Sequence, residues 1–212
     1  MQSQLTIVRA LSRFALVVAA TAAAATLWAQ SRPAEGYMLD ATAWQEEVGA
    51  AGPVPWPADG WWRLVPRGKT IEVRSVRPGD GAIVPADALY LRLPGAALKQ
   101  GTRRAYPSIQ VLQQPELGTD YELTLGAAPF SLRVENVVKG MRYTIAYGGQ
   151  SYSYVLGPFD AERTGVRAVA DLDGDTQPDF LVDVDQATYL LLSTQARPGW
   201  NLPTAELWAS GC

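Results

Sequence analysis

The 212-residue chain contains no histidine, one cysteine and three lysines. Without histidine there is no Ser-His-Asp or Cys-His nucleophile pair, no His-ligated zinc site and no imidazole acid–base chemistry. The single cysteine, Cys212, has no internal partner, so no disulfide staples the fold. It reads either as a plain terminal thiol or as a point of intermolecular attachment. Lys69, Lys99 and Lys139 each stand within two residues of a glycine; such settings read as turns and argue against a buried lysine base. Long helices are missing as well. Fifteen prolines and nineteen glycines, spread along the chain, leave no room for one after residue 50.

What is present begins with an export layout. Arg9 and Arg13 precede an apolar run from Phe14 to Ala29, and polarity returns at Gln30, Ser31 and Arg32. Basic, apolar, small and polar, in that order, is the plan of a secretory signal peptide over residues 1–29, cut after Ala29 or after Ala25. The alternative is an uncleaved anchor, but a span needs roughly 20 well-apolar residues and this run is shorter and alanine-rich. Either way the remainder is delivered outside. The sequence therefore predicts a periplasmic or secreted protein with no stable membrane span after cleavage. The leader holds two of the 18 basic residues and none of the 21 acidic ones, so 16 basic face 21 acidic in the rest, a net of −5. That balance suits a metal cation and does not suit nucleic acid or anionic lipid.

Beyond the leader the pattern is all-β, read as an antiparallel sandwich or meander behind a short helical or irregular lead-in. Residues 30–60 form the Pro-rich lead-in, with a short helix over Asp40–Val48 that the Gly52–Pro57 stretch cannot continue. Residues 61–125 read as an N-terminal β region, and 126–212 as a C-terminal one. Thr70–Val76 alternates, with Ile71 and Val73 opposite Glu72 and Arg74; Leu89, Leu91 and Leu93 stand opposite Tyr90 and Arg92. Between Phe130 and Leu156, three alternating runs are separated by Lys139-Gly140 and Gly148-Gly149, which predicts a three-stranded meander. Its tyrosines, Tyr143, Tyr147, Tyr152 and Tyr154, are expected as strand residues with wet hydroxyls. Strands are also expected at Val166–Ala170, Phe180–Val184, Ala187–Ser193 and Ala205–Ser210, with Phe180, Val182 and Val184 inward and Asp183 and Asp185 outward.

The strongest chemical signal lies between two of these strands. Asp171, Asp173, Asp175 and Asp179 place four carboxylates within nine residues. They repel one another in a compact turn unless a cation is present, and aspartates at alternate positions can aim their oxygens at one point. Calcium takes six to eight oxygens at ~2.3–2.6 Å in a flexible shell. Gly174 permits the positive φ of such a bend, and Gln177 stands where a backbone carbonyl would join the ring. The expected metal ligands are Asp171, Asp173, Asp175, Gln177 and Asp179, with structural Ca²⁺ as the cofactor. An EF-hand is excluded, because its closing glutamate would fall at Val182 and the flanks are strands. The competing reading is a solvated acidic hairpin whose aspartates simply favour turns. Over residues 166–193 the pattern resembles the DxDxDxxxD calcium loops of FG-GAP/VCBS-type proteins, with Gly174 and Phe180 also matching. That resemblance implies a structural, non-catalytic calcium loop joining two strands. Only one copy is present, so it does not imply a propeller.

Two weaker constellations remain. Trp56, Trp61 and Trp62, with Trp44 upstream, either plug the end of a β-structure or stack on sugar rings of an envelope polysaccharide. A carboxylate-pair glycosidase needs no histidine, and its candidates are Glu46 with Glu47 or Asp183 with Asp185; residues so close in sequence do not define opposed acids. The sequence thus favours an exported, non-catalytic protein, a binding or envelope-associated module whose partner is a polysaccharide or another exported protein.

Overall fold

The computed structural model describes residues 36–49, 56–79, 85–96, 98–107, 110–158 and 161–208. The predicted leader and Cys212 lie outside the described residues. Fourteen strands carry the described fold: β1 Tyr37–Asp40, β2 Trp61–Arg67, β3 Thr70–Val76, β4 Leu89–Arg92, β5 Gly101–Pro107, β6 Asp120–Leu125 and β7 Ala128–Val137, then β8 Gly140–Tyr147, β9 Gln150–Leu156, β10 Thr164–Ala170, β11 Asp179–Val184, β12 Ala187–Leu191, β13 Gly199–Asn201 and β14 Ala205–Trp208. The fold is all-β, as the alternating patterns predict.

Its architecture is more closed than a sandwich. Nine strands form a barrel in the order β1-β14-β12-β11-β10-β5-β3-β2-β4, and the other five form a sheet in the order β13-β9-β8-β7-β6. The barrel draws strands from both ends of the chain, so no β region ends near residue 125. Closure falls to β1, inside the stretch read as a lead-in. It pairs antiparallel with β4 along Tyr37–Asp40 and parallel with β14 at Tyr37↔Glu206. The expected short helix follows at Ala41–Gly49, where Asp40 accepts the Ala43 N–H through Oδ1 at 2.8 Å and so caps the first turn.

Alternation explains the barrel interior. Leu64, Ile71, Val73, Leu89, Leu91, Leu181 and Leu190 fill it from successive strands. The outer flank of β10–β12 packs against the five-stranded sheet. Phe180, Val182, Val184, Tyr189 and Leu191 meet Phe130, Leu132, Val134, Tyr143 and Ile145, with Phe180 edge-on to Phe130 at 5.6 Å. These three strands therefore carry core residues on both faces, apart from the Arg167–Asp183 pair. A bulge between Val166 and Ala168 makes this work in β10, turning Val166 and Val169 toward the sheet and Ala168 and Ala170 into the barrel.

The meander β7-β8-β9 has the expected turns and register. Gly140 is obligatory in it: its φ is +126°, and a Cβ there would collide with the Leu156 carbonyl oxygen. The tyrosines depart from expectation. Tyr143 is fully buried, its hydroxyl 2.5 Å from Thr164 Oγ1, and burial pushes the phenol well above its usual range. Tyr154 is also buried and pushed up to about 12, first by burial and then by the charge of Asp179. Both face the sheet–barrel core.

Because Phe180 bridges the sheet and the shared wall, Phe180→Ala should cost about 3–5 kcal/mol, measured by urea unfolding. A surface change such as Gln186→Ala should stay within about 0.5 kcal/mol. Equal effects would deny the two-sided packing.

Candidate functional site

The turn joining β10 to β11 begins where the barrel wall ends. Ala170 is the last residue of β10, and Asp179 is the first of β11, paired with it across the ladder. Leu172 points back into the barrel core, and its carbonyl accepts the Lys99 N–H at 2.9 Å, which ties the turn to the chain before β5. The bend uses two left-handed residues: Gly174 with φ +84°, as its position predicts, and Thr176 with φ +73°. A β-branched residue in that region is strained by roughly 1–2 kcal/mol, so the surroundings must hold it there.

Those surroundings are mostly the aspartates' own hydrogen bonds. Gly174 N–H donates to Asp171 Oδ1 at 2.7 Å, Asp175 N–H to Asp173 Oδ1 at 3.3 Å, and Gln177 N–H to Asp175 Oδ1 at 2.7 Å. A second layer arrives from the turn after β12. Ser193 Oγ shares its one proton between Asp175 Oδ2 at 3.0 Å and Asp179 Oδ1 at 2.8 Å, and Thr194 Oγ1 donates to Asp173 Oδ2 at 2.6 Å. Sequence spacing gave no hint of Ser193 and Thr194, since the β11–β12 hairpin brings them back from 14 to 21 residues away.

Asp179 is the centre of the arrangement. Its exposure is 0 %, in contrast to Asp171 and Asp173, which are half-buried, and Asp175, which is exposed. Four donors reach it: Leu172 N–H at 2.6 Å and Asp173 N–H at 3.3 Å on Oδ2, with Ser193 N–H at 2.7 Å and Ser193 Oγ on Oδ1. Burial raises its pKa, the Asp173 carboxylate raises it further, and the bonds from Ser193 and Leu172 lower it. Burial wins, and the carboxyl is pushed up to about 8 in the metal-free protein. Asp175 is raised too, first by partial burial and then by Asp173 and Asp171.

Asp171, Asp173 and Asp179 each present one carboxylate oxygen, and these oxygens lie within 4.8 Å of one another. Oxygens ~2.3–2.6 Å from one calcium ion stand at most about 5 Å apart, so the spacing fits a shared cation. Three aspartates can thus hold a metal ion. Asp175 stands outside that trio, with its Oδ2 turned to Ser193. Gln177 donates its N–H to Asp175 Oδ1.

The tryptophans do not form an open platform. Trp61 is completely buried, its indole N–H donates to the Pro57 carbonyl at 2.8 Å, and its ring meets Trp44 and Trp56 edge-on. Trp44 in turn stacks on Tyr90 at 4.2 Å. The cluster covers the outer face of β2 and β4, so Trp61 is corrected from a stacking residue to a core residue. Trp56 is half-buried against the same cluster, and Trp62 is half-buried against the barrel core. Asp183 is engaged by Arg167 Nε at 3.1 Å and Thr188 Oγ1 at 2.7 Å, while Asp185 accepts the Glu162 and Arg163 N–H groups. Among the described residues, no helix is long and apolar enough to cross a membrane. Compared with known proteins, the chain matches no protein-family model, no curated protein and no solved structure.

Two outcomes follow for Asp179. Asp179→Asn replaces an acceptor oxygen by an NH₂ that faces N–H donors, and should cost about 1–3 kcal/mol in chemical unfolding although it is isosteric. In chelated protein, the raised folded pKa means the proton is held more tightly folded than unfolded. The stability it supplies is present below about pH 4 and lost as pH rises through about 8. Melting temperature should therefore fall across that window, and the slope should flatten in Asp179→Asn. A pH-independent melting temperature in both proteins would refute the assignment.

Proposed function

We propose that the chain is an exported, non-catalytic binding or envelope-associated module whose β10–β11 turn holds a structural calcium ion. The observation that carries the calcium reading is the convergence of Asp171 and Asp173 on the fully buried Asp179, with three oxygens spaced for one cation. The donors are all carboxylate oxygens, which favour hard cations, and the chain has no histidine to offer a softer one. Three carboxylates against a divalent ion leave a net charge of −1, and the Gln177 carbonyl and water are the proposed completing ligands. Asp175 adds negative charge at the rim. The turn's resemblance to FG-GAP/VCBS-type loops points the same way, and the basic-apolar-polar start of the chain supports export.

The ion's role in this reading is mechanical. It neutralises the repelling carboxylates, fixes the turn, and so holds β10 against β11 and the Ser193–Thr194 turn against both. Binding to the folded state alone adds RT ln(1 + [Ca²⁺]/Kd), about 2.7 kcal/mol at one hundred times Kd. The absence of histidine supports a non-catalytic role, as do Asp183 and Asp185, whose carboxylates already serve structural bonds.

Thermal unfolding of residues 30–212 tests the reading. Melting temperature should rise with calcium and fall with chelator, with a smaller response to magnesium. Asp171→Asn and Asp173→Asn should abolish the response, while Asp175→Asn, outside the trio, should retain part of it. A wild-type melting point indifferent to calcium would reduce the turn to a self-bonded acidic hairpin.

A further inference from the structure

The outer face of the five-stranded sheet, away from the barrel, carries a feature unrelated to the acidic turn. Pairing puts Trp200 opposite Ser153, Ser153 opposite Thr144, Thr144 opposite Arg133 and Arg133 opposite Asp120. Directly paired residues project from the same side of a sheet, so these five form one row across it. The next row runs Val155, Arg142 and Glu135. The two rows thus combine small hydroxyl side chains, charged groups and Val155, with a single aromatic at one edge.

That aromatic is held in place. Trp200 is 66 % exposed, yet the strand bearing it, β13, is braced by Asn201, whose Oδ1 accepts the Arg197 N–H and whose Nδ2 donates to the Arg197 and Gly199 carbonyls, all at 2.8–2.9 Å. The Arg142 guanidinium sits over one face of the indole, 5.3 Å from its centroid. An open cleft of about 660 Å³ lies beside the ring, lined by Asn136, Val137, Val138, Lys139, Arg142 and Val155. Val138 is 86 % exposed. Both charged residues lining the cleft are cationic, in a chain of net charge −3. Glu135 takes part of the Arg142 charge at 3.8 Å and is shared with Arg133 at 3.2 Å, so Lys139 supplies most of the local excess.

We propose that this edge binds an acidic polysaccharide, a chain of pyranose rings bearing carboxylates. A pyranose presents a face of axial C–H groups that packs on a fixed indole. The flat row of Ser153 and Thr144 offers hydroxyl partners without obstructing a chain laid across it. Lys139 and Arg142 complement the carboxylates. The proposal rests on reading the protein as a non-catalytic binding module, but uses no residue of the acidic turn and needs no calcium.

Calorimetric titration with a galacturonic-acid oligosaccharide, with and without calcium, tests it, with a neutral malto-oligosaccharide of equal length beside it. Wild type should bind the acidic chain equally in both buffers and the neutral one more weakly. Trp200→Ala should weaken binding about tenfold or more, Trp200→Phe should recover part of the loss, and Lys139→Glu should weaken binding on a side chain that is exposed and outside the packed core. Unchanged melting temperatures would show that the variants fold. No binding by wild type, equal binding by Trp200→Ala, or equal affinity for the neutral chain would overturn the proposal. So would binding that appears only with calcium and is indifferent to Trp200, which would move the ligand to the acidic turn. Self-association that disappears in Trp200→Ala, without saccharide binding, would instead assign the edge to a second copy of the chain.

Discussion

Three strands, β10 to β12, bury most of both faces, with Arg167 and Asp183 the charged residues that reach solvent. One face of each fills the barrel, and the other supports the five-stranded sheet. A strand in that position must be apolar at consecutive residues, and Ala187–Leu191 is buried at every position. The rest of the fold follows from the need to complete this wall. The barrel curls round its inner face through β5, β3, β2 and β4, then closes through β1 and β14; the meander covers its outer face. Since burial supplies about 25 cal/mol per Å² of apolar surface, a wall used twice contributes on both sides. It also leaves fewer places for a polar residue.

Asp179 occupies one of those places. As the first residue of β11 it inherits the strand's burial, with Phe180 behind it entering the sheet–barrel core and Leu172 before it entering the barrel core. A charged group there must be matched by donors. The turn is shaped to deliver them: two backbone N–H groups from 172–173, and an N–H and a hydroxyl from Ser193. The same shape brings Asp171 and Asp173 to the rim. Crowding of carboxylates is thus a consequence of where the wall ends.

Much of this was legible in the residues, and the failures have specific causes. Period-two alternation located β3, β4 and the meander, because those strands keep one polar face or one distinct core. The acidic turn was legible because Asx chemistry and glycine geometry are local. Barrel closure was not, since Tyr37–Asp40 is a short segment whose partners lie near Leu89 and Glu206, and nothing in its own pattern names them. The burial of Tyr143 is not legible for a related reason: alternation assigns a face, but the depth of that face depends on what packs over it. Trp61 shows the same ambiguity resolved toward burial, while Trp200, just after Pro198-Gly199, carries no periodic signal because it is a lone aromatic beside turn-forming residues.

Two separate terms act on the acidic turn, and they bear differently on a cation. Taking the Asp179 carboxylate out of water costs several kcal/mol, but hydrogen bonds to a charged group return roughly 1.5–3 kcal/mol each, and four donors are present. The donors offset part of the burial cost, which still outweighs them and raises the Asp179 pKa. They do nothing against repulsion among the three carboxylates. At separations up to 4.8 Å, each pair of charges costs about 3 kcal/mol at an effective dielectric of 20, less the screening that half-exposed Asp171 and Asp173 receive. Donors from Gly174, Ser193 and Thr194 orient those carboxylates without removing their charge. Protonation removes it at the expense of the Asp179 hydrogen bonds. A divalent cation removes it at the expense of one Asp179 bond at most, since the Ser193 hydroxyl also has Asp175 as an acceptor, and it is the only one of the three remedies that needs the oxygens to point at a common centre.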